Sequence, residues 1–271
     1  KFLGALCRYE TDDTQTKYLQ YAESFWQMVI DKHTYVTGGN SEDEHFGADN
    51  VLDGERTVCN NETCNTYNML KLSRRLFVIT GDKKYADYYE TTLINAIMSS
   101  QDHKTGLTMY FQPMASGYQK VFGTLENSFW CCTGSGMENF TKLQDSIYFK
   151  GKNVIAVNQY LASKATGDGY VIEQKGDLSK SDTMTFKVSG DSITFNLKLR
   201  MPYWVKDGKA TVKFGDEEYD YEVKDGYIVI PNEKISQGAE FGIKLPMEVK
   251  AYNLADGKDT YAFKYGPYVL S

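Results

Sequence analysis

The spacing of apolar positions changes character once along the chain. Up to about residue 150 it follows a period near 3.6. Tyr18, Tyr21, Phe25, Met28 and Val29 form one stripe of a predicted helix from Thr14 to Lys32. Tyr67, Leu70, Leu72 and Phe77 repeat the pattern over Thr63 to Thr80, and Gly81 is a natural stop. A third helix is predicted to start at Asp82 and to run through Tyr85, Tyr89, Leu93 and Ile97. A fourth, over Gly134 to Phe149, would put Met137, Phe140, Leu143 and Ile147 on one face. The intervening segments 34–61 and 102–133 are long and aperiodic, and such segments often carry function.

After Lys150 the period becomes two. Ile193, Phe195, Leu197 and Leu199 alternate with Thr194, Asn196 and Lys198. Further strands are predicted at Val154 to Leu161, Thr183 to Val188, Ala210 to Phe214, Tyr227 to Ile230, Phe241 to Leu245 and Tyr261 to Phe263. Asp207-Gly208 and Asp225-Gly226 read as turns between them. Many short strands at regular spacing predict a β-sandwich. The expected organisation is therefore a helical piece over 1–150 and a β-sandwich over 151–271. Periodicity does not decide between a helical bundle and a toroid.

Composition narrows the functions. The net charge is −6, without the basic stripe that nucleic-acid binders carry. No apolar run reaches the length of a membrane-spanning helix. Tyr occurs 21 times against 3 Trp, which suits sugar binding and suits sheet surfaces equally. The chain opens on KFLGALCRYE and closes on KYGPYVLS, so it is expected to be part of a longer protein. Its compartment (periplasmic, secreted or cytoplasmic) stays open.

Five cysteines, an odd number, do not make a complete disulfide framework. Cys59 and Cys64 could bridge if they share a loop, whereas adjacent Cys131 and Cys132 could do so only with strain. Glu62-Thr63-Cys64 opens one predicted helix, and Cys131-Cys132 lies just before another. One carboxylate and three thiolates are an acceptable tetrahedral zinc set. Two other readings stand beside it. Free cysteines often only pack, and a filled four-ligand site often only braces a fold.

Three segments, YVTGGNSEDEHFG, NETCNTYNMLKLSRRLF and SFWCCTGSGMEN, resemble successive motifs of the β-L-arabinofuranosidases of glycoside hydrolase family 127 and its relatives, including family 146. KLRMPYW and AFKYGPYVL are similar to strand motifs of the sandwich that follows that family's catalytic domain. The resemblance implies an α+β multidomain protein: the C-terminal part of an (α/α)6 toroid followed by a β-sandwich. It implies a retaining hydrolase that releases β-L-arabinofuranose from plant-derived glycans. Zinc would be held by Glu62, Cys64, Cys131 and Cys132. Cys131 would be the nucleophile, Glu44 of EHF the general acid/base, and Tyr110 of MYFQP a sugar contact. Part of the toroid is expected upstream of Lys1, so the activity is expected of the full-length enzyme.

A thiolate in place of the usual carboxylate nucleophile needs its proton removed, because an ordinary Cys titrates near 8.5. Zinc does that, while also drawing charge from sulfur. On residues alone Glu44 is one acid among Glu42, Asp43 and Asp49, and His45 reads as structural or as a sugar contact. Trp130 reads as packing beneath the metal loop or stacking on the substrate, with packing the favoured expectation. Two alternatives keep the same residues: a glycosidase of different sugar specificity, and a non-catalytic, zinc-braced carbohydrate-binding or structural protein.

Overall fold

The computed structural model describes residues 1–257 and 259–270. The chain forms two compact units, one of Lys1–Leu143 with Lys250–Ser271 and one of Gln144–Val249. The boundary expected at residue 150 thus falls at 143. The segment from Lys250 onward, expected to end the β-sandwich, belongs instead with the helices.

The first unit carries α1 (Phe2–Thr11), α2 (Thr16–His33), α3 (Thr63–Thr80), α4 (Lys83–Thr92) and α5 (Cys131–Thr141). The stripe of α2 buries Ala22, Trp26, Val29 and His33 at helical spacing. It meets α3 at Ser73, whose hydroxyl accepts the Trp26 indole N–H at 2.8 Å. Tyr85 and Tyr88 of α4 present edges to the same indole, with ring centroids 4.6 and 5.7 Å away. Gly81 ends α3 in the left-handed region (φ 71°), a conformation open to glycine without a Cβ clash. Asp82 then caps α4 by accepting the Lys84 N–H at 2.9 Å.

Two predicted helices are corrected. The third does not run unbroken through Ile97: after Thr92 it widens into a π-turn over Leu93–Ile97. The fourth starts earlier and stops sooner, at Cys131–Thr141. Ser146 takes φ 66° and Tyr148 already begins a strand, so Ile147 and Phe149 lie outside the helix. Their apolar spacing misled because turn and strand also bury side chains, Ile147 among them. Helix α1 was not foreseen.

The second unit carries, in chain order, β1 (Tyr148–Gly151), β2 (Val154–Val157), β3 (Ser163–Gly167), β4 (Tyr170–Lys175), β5 (Thr183–Ser189), β6 (Asn196–Arg200), β7 (Thr211–Phe214), β8 (Glu217–Tyr219), β9 (Val223–Lys224), β10 (Tyr227–Ile230) and β11 (Ala239–Lys244). One sheet is ordered β1-β2-β6-β10-β9 and the other β3-β4-β5-β11-β7-β8. β2 and β6 pair in parallel; the remaining pairs of these sheets are antiparallel. Leu197, Leu199, Ile228 and Ile230 of the first sheet and Met184, Phe186, Val188 and Ile243 of the second are buried, giving a sandwich-like core. Asp225 and Gly226, at φ 52° and 80°, close the β9–β10 hairpin as the turn the sequence predicts. Ile193 and Phe195 bury as expected but precede β6 rather than belonging to it.

The C-terminal strands β12 (Val249–Asn253), β13 (Tyr261–Tyr265) and β14 (Tyr268–Leu270) form a third sheet. Lys264 of β13 is buried, and burial lowers its pKa to about 8 against the opposing charges of Glu90 and Asp87 on α4. Asn95, in the π-turn, donates to the Pro267 carbonyl and accepts the Val269 N–H, both at 2.8 Å. This hydrogen bonding belongs to the first unit and explains why the last strands cluster with helices. Among the described residues no helix is long and apolar enough to cross a membrane.

The Trp26–Ser73 bond yields a direct expectation. Ser73→Ala leaves a buried indole N–H without its partner and should cost about 1–3 kcal/mol, read from chemical denaturation. An unchanged midpoint would show that this contact does not hold α2 to α3.

Candidate metal and catalytic site

Two helix starts converge. Glu62 is the N-cap of α3 and Cys64 its second residue, while Cys131 and Cys132 open α5. Helix N-termini favour negative charge and thiolate character. The ligand atoms of Glu62, Cys64, Cys131 and Cys132 all lie within 4.8 Å of one another. Cys132 Sγ is 3.3 Å from Cys64 Sγ, 3.6 Å from Glu62 Oε1 and 4.0 Å from Cys131 Sγ. Cys132 is buried and Cys131 exposed, so one sulfur faces outward.

Burial pushes the Cys64 thiol up to about 11, against hydrogen bonds from Ser135 and Cys132 that lower it. Burial raises the Cys132 thiol as well, and Cys64 and Glu62 add to that rise. Four potential anions this close cannot all carry charge unless a cation sits among them. Three sulfurs and one carboxylate oxygen suit a soft or borderline divalent ion. The residues present therefore fit a metal. Ser135, which the sequence did not single out, supports the set by donating to Cys64 Sγ at 3.0 Å.

Glu44 and Tyr110 come to the same place. The Tyr110 hydroxyl donates to Glu44 Oε1 and lies 3.4 Å from Cys131 Sγ. The Cys131 sulfur, followed by the Glu44 carboxylate, pushes the Tyr110 phenol well above its usual range, so it stays a neutral donor. Glu44 projects from a two-residue turn. Asp43 and Glu44 have φ of 44° and 67°, and Glu42 and His45 exchange backbone hydrogen bonds of 2.9 and 2.8 Å across it. Left-handed backbone at a glutamate costs roughly 1–2 kcal/mol, so the surroundings must hold it there.

The holding is done by buried amides. Asn60 is fully buried; it accepts the Thr57 N–H at 2.6 Å and donates to the carbonyls of Glu55 (2.9 Å) and Ser41 (3.3 Å). Its own carbonyl accepts the Gln112 N–H at 2.8 Å. Gln112 donates to the Asn95 carbonyl at 3.0 Å and to Ser99 at 2.8 Å, which fixes the segment that carries Tyr110. Thr63 binds the same segment twice, from its N–H to Tyr110 O (3.0 Å) and from its hydroxyl to Met109 O (2.9 Å). Neither Asn60, Gln112 nor Asn95 was identified from sequence. Asn60 and Gln112 stood inside the segments CNNETCNTYNML and MYFQP, but a buried amide gives no periodic signal of its own.

Other expectations resolve differently. Cys59 and Cys64 are separate free thiols. The His45 ring donates from Nδ1 to the Asp43 carbonyl at 2.5 Å, the structural reading. Trp130 is 57% exposed and does not pack beneath the loop.

The model of the β-L-arabinofuranosidase GH127 catalytic domain matches residues 2–145, and that of the GH127 middle domain matches residues 154–247. The chain belongs to this family. A solved GH127 β-arabinofuranosidase is 22% identical with a TM-score of 0.84, covering 99% of this chain and 46% of its own. A GH127 β-L-arabinofuranosidase from Geobacillus stearothermophilus T6 is 23% identical with a TM-score of 0.78, covering 99% and 44%. A structure described as a glycoside hydrolase is 20% identical with a TM-score of 0.85, covering 99% and 50%. These likenesses establish the shared fold, a partial toroid of helices and a following β domain. The chain spans about half the length of the solved structures it matches. No curated protein sequence matches it.

Asn60→Ala should destabilise this GH127 chain by about 1–3 kcal/mol, because it strands the Thr57 N–H and the Glu55 carbonyl. Thermal denaturation checks it; an unshifted transition would mean that water replaces the amide without loss.

Proposed function

We propose that this chain carries the reacting groups of a retaining β-L-arabinofuranosidase that acts on arabinose-containing plant glycans. The observation that carries the reading is the contact of one phenol, Tyr110, with both Glu44 and Cys131. A retaining glycosidase needs a nucleophile and an acid/base group on one substrate, and this pair supplies them.

Zinc is the proposed ion, held by Glu62, Cys64, Cys131 and Cys132; when bound it would keep the thiols ionised and in place. The spacing supports it. A tetrahedral site with Zn–S bonds of about 2.3 Å has edges of about 3.8 Å, and the observed sulfur–sulfur separations of 3.3 and 4.0 Å straddle that value.

Cys131 is the proposed nucleophile because its sulfur is the exposed one of the adjacent pair. In the first step its Sγ bonds to the anomeric carbon as the glycosidic C–O bond breaks, and Glu44 gives its proton to the departing oxygen. In the second step Glu44 takes a proton from water. The water oxygen bonds to the anomeric carbon, the C–S bond breaks, and the thiolate returns. Two displacements at one carbon retain its configuration. Tyr110 contacts the sugar and orients Glu44, staying protonated throughout.

The test is mass spectrometry of the full-length enzyme treated with a carbocyclic epoxide of β-L-arabinofuranose configuration. The expected label is one ring-opened inactivator, added whole, on Cys131, with Cys131→Ser folded, unlabelled and at least about 10³-fold slower. Labelling elsewhere, or wild-type rates in Cys131→Ser, would remove Cys131 from the nucleophile's role. Hydrolysis of other aryl glycosides in preference to β-L-arabinofuranosides would favour a different sugar.

A further inference from the structure

Asp256 lies between β12 and β13, 204 positions from Leu52 in the chain. Its carboxylate sits against three successive backbone amides. Oδ1 accepts the N–H of Leu52 at 2.9 Å and of Asp53 at 2.7 Å, and Oδ2 accepts that of Gly54 at 3.0 Å. Consecutive amides aimed at one anion form a nest of the kind that usually binds a ligand's phosphate or carboxylate. Here the protein provides the anion itself. Burial raises the Asp256 pKa, but the N–H groups of Asp53, Gly54 and Leu52 outweigh it and bring the value to about 2. The carboxylate is therefore charged across the neutral range.

We propose that Asp256 is a positioning residue for Glu44, a role that rests on the acid/base reading of Glu44 above. The turn it clasps is bound to the Glu44 turn by two short routes. In the first, the Glu55 carboxyl group lies against Gly47, so closely that a Cβ on Gly47 would fall 1.8 Å from Glu55 Oε1. Gly47 is three residues from Glu44. In the second, the Glu55 carbonyl accepts from Asn60, which also holds the Ser41 carbonyl at the base of the Glu44 turn. Thr57, whose N–H Asn60 accepts, donates its hydroxyl to Glu42 Oε1 at 3.1 Å. The Leu52 carbonyl accepts from Tyr35 at 3.1 Å and completes the clasp from the helical side.

The segment 46–59 has no helix or strand of its own. Its geometry depends on such side-chain clasps, and Asp256 contributes one from the connection between β12 and β13. Glu44 occupies a left-handed turn that relaxes unless held. Loss of the clasp is therefore expected first at the acid/base carboxylate.

The test compares Asp256→Asn with Glu44→Gln in the full-length enzyme, using β-L-arabinofuranosides with an acidic phenol and with a simple alcohol as leaving groups. Only the alcohol needs a proton from Glu44 as it departs. The expected result is a loss in kcat/KM for the alkyl substrate in Asp256→Asn, roughly tenfold. That is a part of the 10²- to 10⁴-fold a general acid supplies. The aryl substrate should change little, and Glu44→Gln should show the same selectivity more strongly. Equal losses on both substrates, or none, in Asp256→Asn while Glu44→Gln stays selective would overturn the positioning role and leave the proposed function intact. An unselective Glu44→Gln would overturn the acid/base reading, and this inference with it. Amide hydrogen exchange reads the clasp without catalysis. Leu52, Asp53 and Gly54 should exchange slowly in the unsubstituted protein, and fast exchange there would overturn the inference whatever the variants do.

Discussion

The constraint on which the site depends is electrostatic. Three sulfurs and a carboxylate are brought within 4.8 Å by the starts of α3 and α5. Burial holds the Cys64 and Cys132 thiols above their usual range, so the group can become a set of anions only around a cation. Of the two helices, α3 is anchored to α2 at Ser73, whose hydroxyl accepts the Trp26 indole N–H. Rigid helices with a strained loop beside them are a common division of labour. The packed elements set the positions of the four candidate ligands, and the loop sets Glu44, the proposed acid/base group.

The loop from Ser41 to Asn61 pays for that placement in backbone conformation. Ser41, Asp43, Glu44, Asn50 and Asn61 all have positive φ. Nothing in regular secondary structure compensates them. Buried amides do: Asn60 ties the loop to itself, and Gln112 joins it to the π-turn through Asn95. The same Asn95 holds the C-terminal strands, so the sheet after Val249 is part of the scaffold of the helical unit. A π-turn at this junction fits the tendency of such turns to mark functional places in helices.

Much of the architecture was legible in the sequence because it rests on period. Thr63–Thr80 was bounded to the residue by an apolar stripe and a terminal Gly81, and β10 by alternation after Asp225-Gly226. The four cysteine and glutamate ligand candidates were legible as pairs, and the resemblance joined them into one set. The failures have physical causes too. A helical stripe ran on to Ile147 although the backbone had turned at Ser146. The late strands alternate like those of the sandwich, yet Lys264 and Val269 face helices, which no local pattern records. Asn60, Asn95, Ser135 and Asp256 act through hydrogen bonds to residues that no regular period links to them, and these leave no trace in spacing.

The central claim is that the four donors form one metal site that holds zinc. Elemental analysis of the purified protein, wild type beside Cys64→Ser, measures this directly. The account predicts close to one zinc ion per wild-type chain and its loss on substitution. Wild-type protein that holds no zinc after purification in zinc-containing buffer, or a Cys64→Ser variant that keeps its full complement, would contradict it.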